Sequence, residues 1–311
     1  MNDIPGWPLN ASNMTKNDNV LEGFLTRLMD TYKARVPAVE QITTAMVDQG
    51  LINHIDDIEN DHIAFRTMGV PHLGIKSLEK IFLAHGYQRR DHMYFAHKKL
   101  NAFWYSPPVD RFPRIFISEL IVDEMPEFAR EIIFQYTSQV SGDPVKSLDL
   151  QDVDQIAEFL HGPLWTLPTL PHYKMLSEIS EYAAWVIYNR YYLNHYTISV
   201  HNLPFGYNTM DQFVDFVKSL GIELNQSGGE IKVSADGLLR QSSTMAGLAE
   251  ATFADGESIS VPTSYVEFAE RRIKPEFAHL EGTDISRTHR RDGFEVGNAD
   301  KIFESTYTKA S

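Results

Sequence analysis

From Val20 to about Gly50, apolar residues recur at helical spacing: Leu21, Phe24, Leu25, Leu28 and Met29, then Val36, Val39, Ile42 and Met46. The spacing predicts two amphipathic helices broken near Pro37, whose ring removes a backbone donor. Residues before about 18 are polar and read as a loosely held tail. The period then changes. DHIAFRTMG (61–69) alternates as a strand does, with His62, Ala64 and Arg66 on one face and Ile63 and Phe65 on the other. After the turn-like VPHLG comes SLEKIFLAHG (77–86), a helix bounded by Ser77 and Gly86. Three strand-like stretches follow, Met93 to His97, Asn101 to Tyr105 and Arg114 to Val122.

From about Asp123 the period is helical again. PEFAREIIFQYTSQV, LQDVDQIAEFL and YKMLSEISEYAAWVIYNRYY each predict a helix, and the Pro-rich HGPLWTLPTLPH predicts a connector. Beyond Tyr192 the first pattern returns: the strand NHYTISV (194–200), the helix TMDQFVDFVKSLG (209–221) capped by Thr209, and strands around 231–233, 238–244 and 265–271. The order strand, helix, three strands thus occurs twice without a close sequence repeat, and the likeness rests on element order and the matching places of His62 and His195. The expected class is α+β. Residues 1–55 form a tail and helices, 56–122 and 193–273 two like units, and 123–192 an inserted helical block. Residues 274–311 form a tail whose GFEVGNADKIFEST packs back on the body.

Composition narrows the function classes. Lys plus Arg number 28 against 42 Asp plus Glu, a net charge of −14, which argues against a surface that binds nucleic acid by counterion release. A small anionic ligand would need a local cationic site. Cysteine is absent, which removes disulfides and thiolate chemistry. No basic segment followed by an apolar run opens the chain and no window reaches membrane-spanning length. These features predict a cytoplasmic protein with neither membrane nor nucleic-acid partner.

The candidate chemistry lies on three strands. NHYTISV puts His195, Thr197 and Ser199 on one face, and SYVEFAERR (264–272) puts Tyr265, Glu267, Ala269 and Arg271 together. Two His and one carboxylate make the facial set of non-haem Fe(II) oxygenases. Spacing alone leaves blander readings open. The chain has 12 histidines, and a lone His on a strand is more often a hydrogen-bonded core residue than a ligand. Glu267 could simply pair with Arg271, and Arg66 could serve a structural ion pair.

DHIAFR, NHYTIS, LLRQSST (238–244) and YVEFAERR together resemble the 2-oxoadipate dioxygenase/decarboxylase, or hydroxyglutarate synthase, family of the vicinal oxygen chelate superfamily, over residues 20 to about 308. The resemblance implies a curved sheet built from the two units. It implies Fe(II) held by His62, His195 and Glu267, with Arg66 as the catalytic cation that binds substrate. The implied partners are O2 and a 2-oxo acid, with 2-oxoadipate converted to 2-hydroxyglutarate and CO2. Gln241 and Ser243, in the run QSST, are expected as donors to a substrate carboxylate. Glu119, in FISEL, is expected by pseudo-symmetry at the place Glu267 holds in the second unit, as a residue of the substrate pocket. Were Glu119 a fourth ligand, the set would be that of a glyoxalase-like isomerase or hydrolase; a non-enzymatic binding module is the other alternative. Charge counting favours the oxygenase: Fe(II) with two neutral imidazoles and one carboxylate carries +1, Arg66 adds +1, and a dicarboxylic substrate brings −2.

Overall fold

The computed structural model describes residues 15–307. Thr15 opens helix α1 (Lys16–Arg35): its hydroxyl accepts from the Asp18 backbone and the Asp18 carboxylate accepts from the Thr15 backbone, a reciprocal cap. Helix thus begins within the stretch expected as a tail, whose residues 1–14 lie outside the described ones. Helix α2 (Pro37–Asp48) starts on Pro37, where a missing backbone donor costs nothing.

The first unit runs β1 (Asn60–Met68), α3 (Ile75–Ala84), β2 (Gln88–Phe95), β3 (Leu100–Ser106) and β4 (Arg114–Leu120). Four helices follow, α4 (Glu127–Thr137), α5 (Val153–His161), α6 (Leu170–Ser177) and α7 (Glu181–Asn189). Where one helix was expected over 173–192 there are two, because Ser180 takes an extended backbone and its hydroxyl accepts from Ala183 N, starting a new helix. The second unit is β5 (His195–Ser199), α8 (Met210–Ser219), β6 (Lys232–Val233), β7 (Leu239–Ser243) and β10 (Tyr265–Arg271), with a hairpin of β8 (Leu248–Thr252) and β9 (Ser258–Pro262) inserted. A short α9 (Val296–Ile302) comes last.

Eight strands make one curled sheet in the order β2-β3-β4-β1-β5-β10-β7-β6, and β8 and β9 pair apart from it. One face meets helices: Phe65 of β1 packs on Phe82 of α3, which with His85 also receives Phe24 of α1. His62, Ala64 and Arg66 take the other face, as the period of two requires.

The sheet has a pseudo-two-fold between β1 and β5. These strands pair antiparallel, with Ile63 opposite Tyr196 and Ala64 opposite His195. Each pairs parallel with an outer neighbour, His62 opposite Arg114 on β4 and His195 opposite Tyr265 on β10. This register corrects one expectation. Two residues beyond Tyr265 stands Glu267, and two beyond Arg114 stands Phe116. The residue matching Glu267 is therefore Phe116, whereas Glu119 matches Glu270. These two glutamates do the same work in their own units. Glu119 Oε2 accepts from Ile75 N at 2.9 Å and Glu270 Oε2 from Met210 N at 2.8 Å, so each caps the first turn of its unit's helix. Gly74, before α3, has φ of 77°, and a Cβ there would lie 2.5 Å from the Glu119 carboxylate. Glu119→Ala is expected to cost about 1 kcal/mol and to lower the thermal midpoint by a few degrees, with metal uptake unchanged; calorimetry and a metal titration check both.

Candidate metal centre

His62 on β1, His195 on β5 and Glu267 on β10 stand on three consecutive strands of the sheet, all buried, with one ligand atom from each lying within 4.8 Å of the others. His62 Nε2 is 3.5 Å from Glu267 Oε1, and His195 Nε2 is 3.1 Å from Glu267 Oε2. Thr197, two residues beyond His195 on β5, brings its hydroxyl to 3.1 Å from His62 Nε2.

Both imidazoles are oriented from behind by the residue that precedes them. His62 Nδ1 lies 2.8 Å from Asp61 Oδ1, and His195 Nδ1 lies 3.1 Å from Asn194 Oδ1. With Nδ1–H donating outward, each Nε2 lone pair faces the centre, which is the tautomer a metal requires. Asp61 is in turn gripped by Arg271, whose Nε donates to Oδ2 at 2.6 Å and Nη2 to Oδ1 at 2.8 Å; Arg114 Nη1 adds a contact at 3.3 Å. Burial pushes the Asp61 carboxyl up, but the two guanidiniums and the His62 hydrogen bond outweigh it and hold it well below the usual range. Arg271 therefore pairs with Asp61 of β1, and the pairing with Glu267 open from sequence is not formed. Burial lowers His62, yet Glu267 and Asp61 raise it overall; burial, with His62 and Arg66 nearby, holds His195 well below its ordinary value. A cation entering the group competes with the proton favoured on His62, so its binding releases protons.

Two imidazole nitrogens and one carboxylate, buried and held from behind, suit a divalent transition metal. In the place matching Glu267, the first unit offers the Phe116 ring, which packs on Phe294 at 5.1 Å. Among the described residues no fourth His or carboxylate joins the group.

The other predicted site residues fall as follows. Gln241 lines the pocket, and its amide is committed: Nε2 donates to Glu267 Oε1 at 2.6 Å, while Oε1 accepts from Asn298 at 3.0 Å. Ser243 is turned to the C-terminal segment, its hydroxyl 2.8 Å from that of Ser305. Ser243 thus anchors that segment and does not line the pocket. Glu119 does not line it either and caps α3. Arg66 is buried, with Nη1 donating to the Thr306 hydroxyl and Nη2 to the Phe303 carbonyl, both at 3.0 Å. His201, the nearest rival to His195 in sequence, accepts from Arg271 N at 3.2 Å and is structural. Sequence reasoning missed Asp61, Asn194 and Phe294. The first two sit beside the histidines in the motifs themselves, and Phe294 covers His62 edge-on at 4.8 Å. The space left between the group and its cover, chiefly Phe294, Ile302 and Phe303, is about 20 Å³, enough for a single water.

A model of the 2-oxoadipate dioxygenase/decarboxylase family matches residues 24–277. The chain belongs to this family. It is 47% identical over 262 residues to the 2-oxoadipate dioxygenase/decarboxylase, chloroplastic/amyloplastic, of Oryza sativa subsp. japonica, covering 81% of this chain and 70% of the relative. To the chloroplastic protein of the same name from Arabidopsis thaliana it is 43% identical, covering 83% and 71%. It superposes on the crystal structure of the Oryza sativa hydroxyglutarate synthase in complex with 2-oxoadipate with a TM-score of 0.86 at 42% identity, covering 96% of each chain. The expected cytoplasmic location is corrected by these relatives, whose names point to a plastid instead. Lack of cysteine and of a membrane-length apolar run does not separate the two compartments. Among the described residues no helix is long and apolar enough to cross a membrane.

Asp61→Asn keeps an acceptor for His62 but leaves two buried guanidiniums facing a neutral group. We expect a loss of about 3–5 kcal/mol of stability and about 10- to 100-fold weaker metal binding, read by denaturant unfolding and by competition with a chelator.

Proposed function

We propose that the chain is an Fe(II)-dependent dioxygenase/decarboxylase that converts 2-oxoadipate, or a similar 2-oxo dicarboxylic acid, and O2 into 2-hydroxyglutarate and CO2. In this reading residues 56–122 and 193–273 are the two units that share the metal, 123–192 is the helical block that closes over them, and the tail from 274, within the described residues, covers the site. The observation that carries the reading is the donor set: His62, His195 and Glu267, with the apolar Phe116 where a fourth carboxylate would stand. A six-coordinate cation with three protein ligands keeps three positions, the number that a two-point 2-oxo acid and dioxygen need together. Glyoxalase-like chemistry with four protein ligands lacks its fourth.

Bound by this set, Fe(II) supplies the redox chemistry that lets O2 react with a 2-oxo acid. The protein's own residues orient, hold and exclude. Asp61 and Asn194 fix the imidazoles, and Gln241 fixes the Glu267 carboxylate through its amide. Arg66 lies four residues along β1 from His62, about 13 Å at the strand rise. That separation suits a guanidinium reaching back to the carboxylate of an extended diacid remote from the metal. Its planar fork fixes the pose of the chain, which is how orientation lowers the barrier of an intramolecular step. Phe116, Phe294 and Phe303 keep water from the reacting carbon. Five substrate carbons remain in the product and one leaves as CO2, with both atoms of O2 retained between them.

Three variants test the reading. His62→Ala and His195→Ala should each lose bound iron, by elemental analysis, together with oxygen uptake. Arg66→Lys keeps the charge but not the fork; it should retain iron and lose at least about tenfold in kcat/KM, or about 1.4 kcal/mol. An oxygen electrode with CO2 detection provides the readout, and turnover of 2-oxoadipate under nitrogen would overturn the assignment.

A further inference from the structure

Among the buried arginines that face carboxylates, Arg271 and Arg66 do so differently. Arg271 grips Asp61 through two bonds of 2.6 and 2.8 Å, the geometry of a permanent structural fork. Arg66 meets Glu181, the first residue of α7, only at 3.5 Å, and the Thr306 hydroxyl stands between them, accepting from Arg66 at 3.0 Å and donating to Glu181 Oε2 at 2.8 Å. The other Glu181 oxygen is buried without a hydrogen bond, and the hydroxyl of the adjacent Tyr265 faces Arg66. A buried carboxylate oxygen left so costs about 1–3 kcal/mol, an arrangement a purely structural pair has no reason to keep. Glu181 and Tyr182 also line a cleft of about 630 Å³ bordered by His97, Lys98, Lys174 and Tyr307. Glu181 thus stands between solvent and Arg66, while the pocket over His62 is closed.

We propose that Glu181 is a placeholder for the substrate: its carboxylate holds Arg66 until the carboxylate of a dicarboxylic 2-oxo acid entering through this cleft replaces it, and Glu181 then takes up a proton. This rests on the reading above and deepens it. The charge count requires the proton. Metal group +1, Arg66 +1 and substrate −2 sum to zero, and an ionised Glu181 would leave one buried negative charge uncompensated. Burial already lifts Glu181 to about 7 even with Arg66 beside it, so the proton is available near neutrality. The groups that face Glu181 are Arg66 of β1, Tyr173 of α6, Tyr265 of β10, and Thr306 and Tyr307 of the tail. Across the cleft stand His97, Lys98, Lys174 and Glu178.

The sign of the effect is fixed. Below pH 7 Glu181 is already neutral and binding is insensitive to it. Above pH 7 only the protonated fraction admits substrate, so the apparent affinity falls, by about tenfold at pH 8. The test is titration calorimetry of 2-oxoadipate into the iron-loaded protein under nitrogen, in buffers of different ionisation enthalpy between pH 6 and 8.5. The wild type should take up a fraction of a proton that approaches one above pH 7. Glu181→Gln should show no such uptake and, at pH 8, bind about tenfold tighter than the wild type. Wild-type binding without proton uptake, which needs no variant to observe, overturns the exchange and leaves the dioxygenase reading standing. A Glu181→Gln variant that binds no more tightly at pH 8 does the same. If the wild type neither binds nor turns over 2-oxoadipate, both fall.

Discussion

The antiparallel pairing of β1 with β5 is the constraint on which the rest of the structure depends. With Ile63 opposite Tyr196, the two strands bring His62 and His195 to the same face of the sheet, and a slip of one residue in either would turn its histidine to the helix side. The pairing is braced from both faces. On the helix side the Tyr32 hydroxyl of α1 accepts from Tyr196 N and donates to the Tyr265 carbonyl, tying β5 to β10. On the site side the Asp61–Arg271 pair joins β1 to β10 across β5, and Arg271 Nη1 continues to the carbonyls of Arg291 and Gly293. Burying these charges is tolerable only because almost every donor has a partner. The same bonds that satisfy them fix the ring of His62.

The inserted helices and the C-terminal segment turn an open sheet face into a closed chamber. Their apolar contacts form the cover: Phe303 packs on Phe95, Phe116 and Tyr182, and Phe294 packs on His62, Trp104 and Phe116. Their polar contacts fix its register, with Asn298 bonded to Gln241 and Ser305 to Ser243. The cover is thus fastened to the strand that positions Glu267, so displacement of the segment and movement of the Glu267 carboxylate are mechanically linked.

How much of this was legible in the sequence follows from range. The 2.0 and 3.6 periods identified the strands that bear His62, His195 and Glu267 and most of the helices, because those signals are local. The break at Ser180 was hidden by an apolar pattern that runs through it, and the β8–β9 pair is too short and too exposed to alternate clearly. Residue roles set by pairing were not readable. Glu119 was placed opposite Glu267 by counting along units, whereas strand register equates it with Glu270 and gives the place to Phe116. QSST was read as substrate donors because polar residues on a strand suggest a ligand; their actual partners, Asn298 and Ser305, lie in a tail with no strand period. Glu181 sits in a helical block that carries no site motif, and only tertiary packing brings it to Arg66.

The fold is nearly symmetric and the chemistry is not, and the differences between matching positions account for the site. Under the pseudo-two-fold, His62 matches His195, but Asp61 matches Asn194, Phe116 matches Glu267, and Arg66 matches Ser199. One carboxylate where symmetry would allow two leaves a group of three donors in place of four. One arginine instead of two gives an otherwise even chamber a polarity, the His-His-Glu group at one end and a cation at the other; in the proposed function a substrate with two anionic ends would bind in one sense only. The charged partner of His62 has no counterpart at His195 because only one half must carry Arg271 and Arg114 behind it. A symmetric scaffold built this way needs just these few unlike pairs to become a directional site, and each lies on or directly beside the four central strands, where register is most strongly fixed.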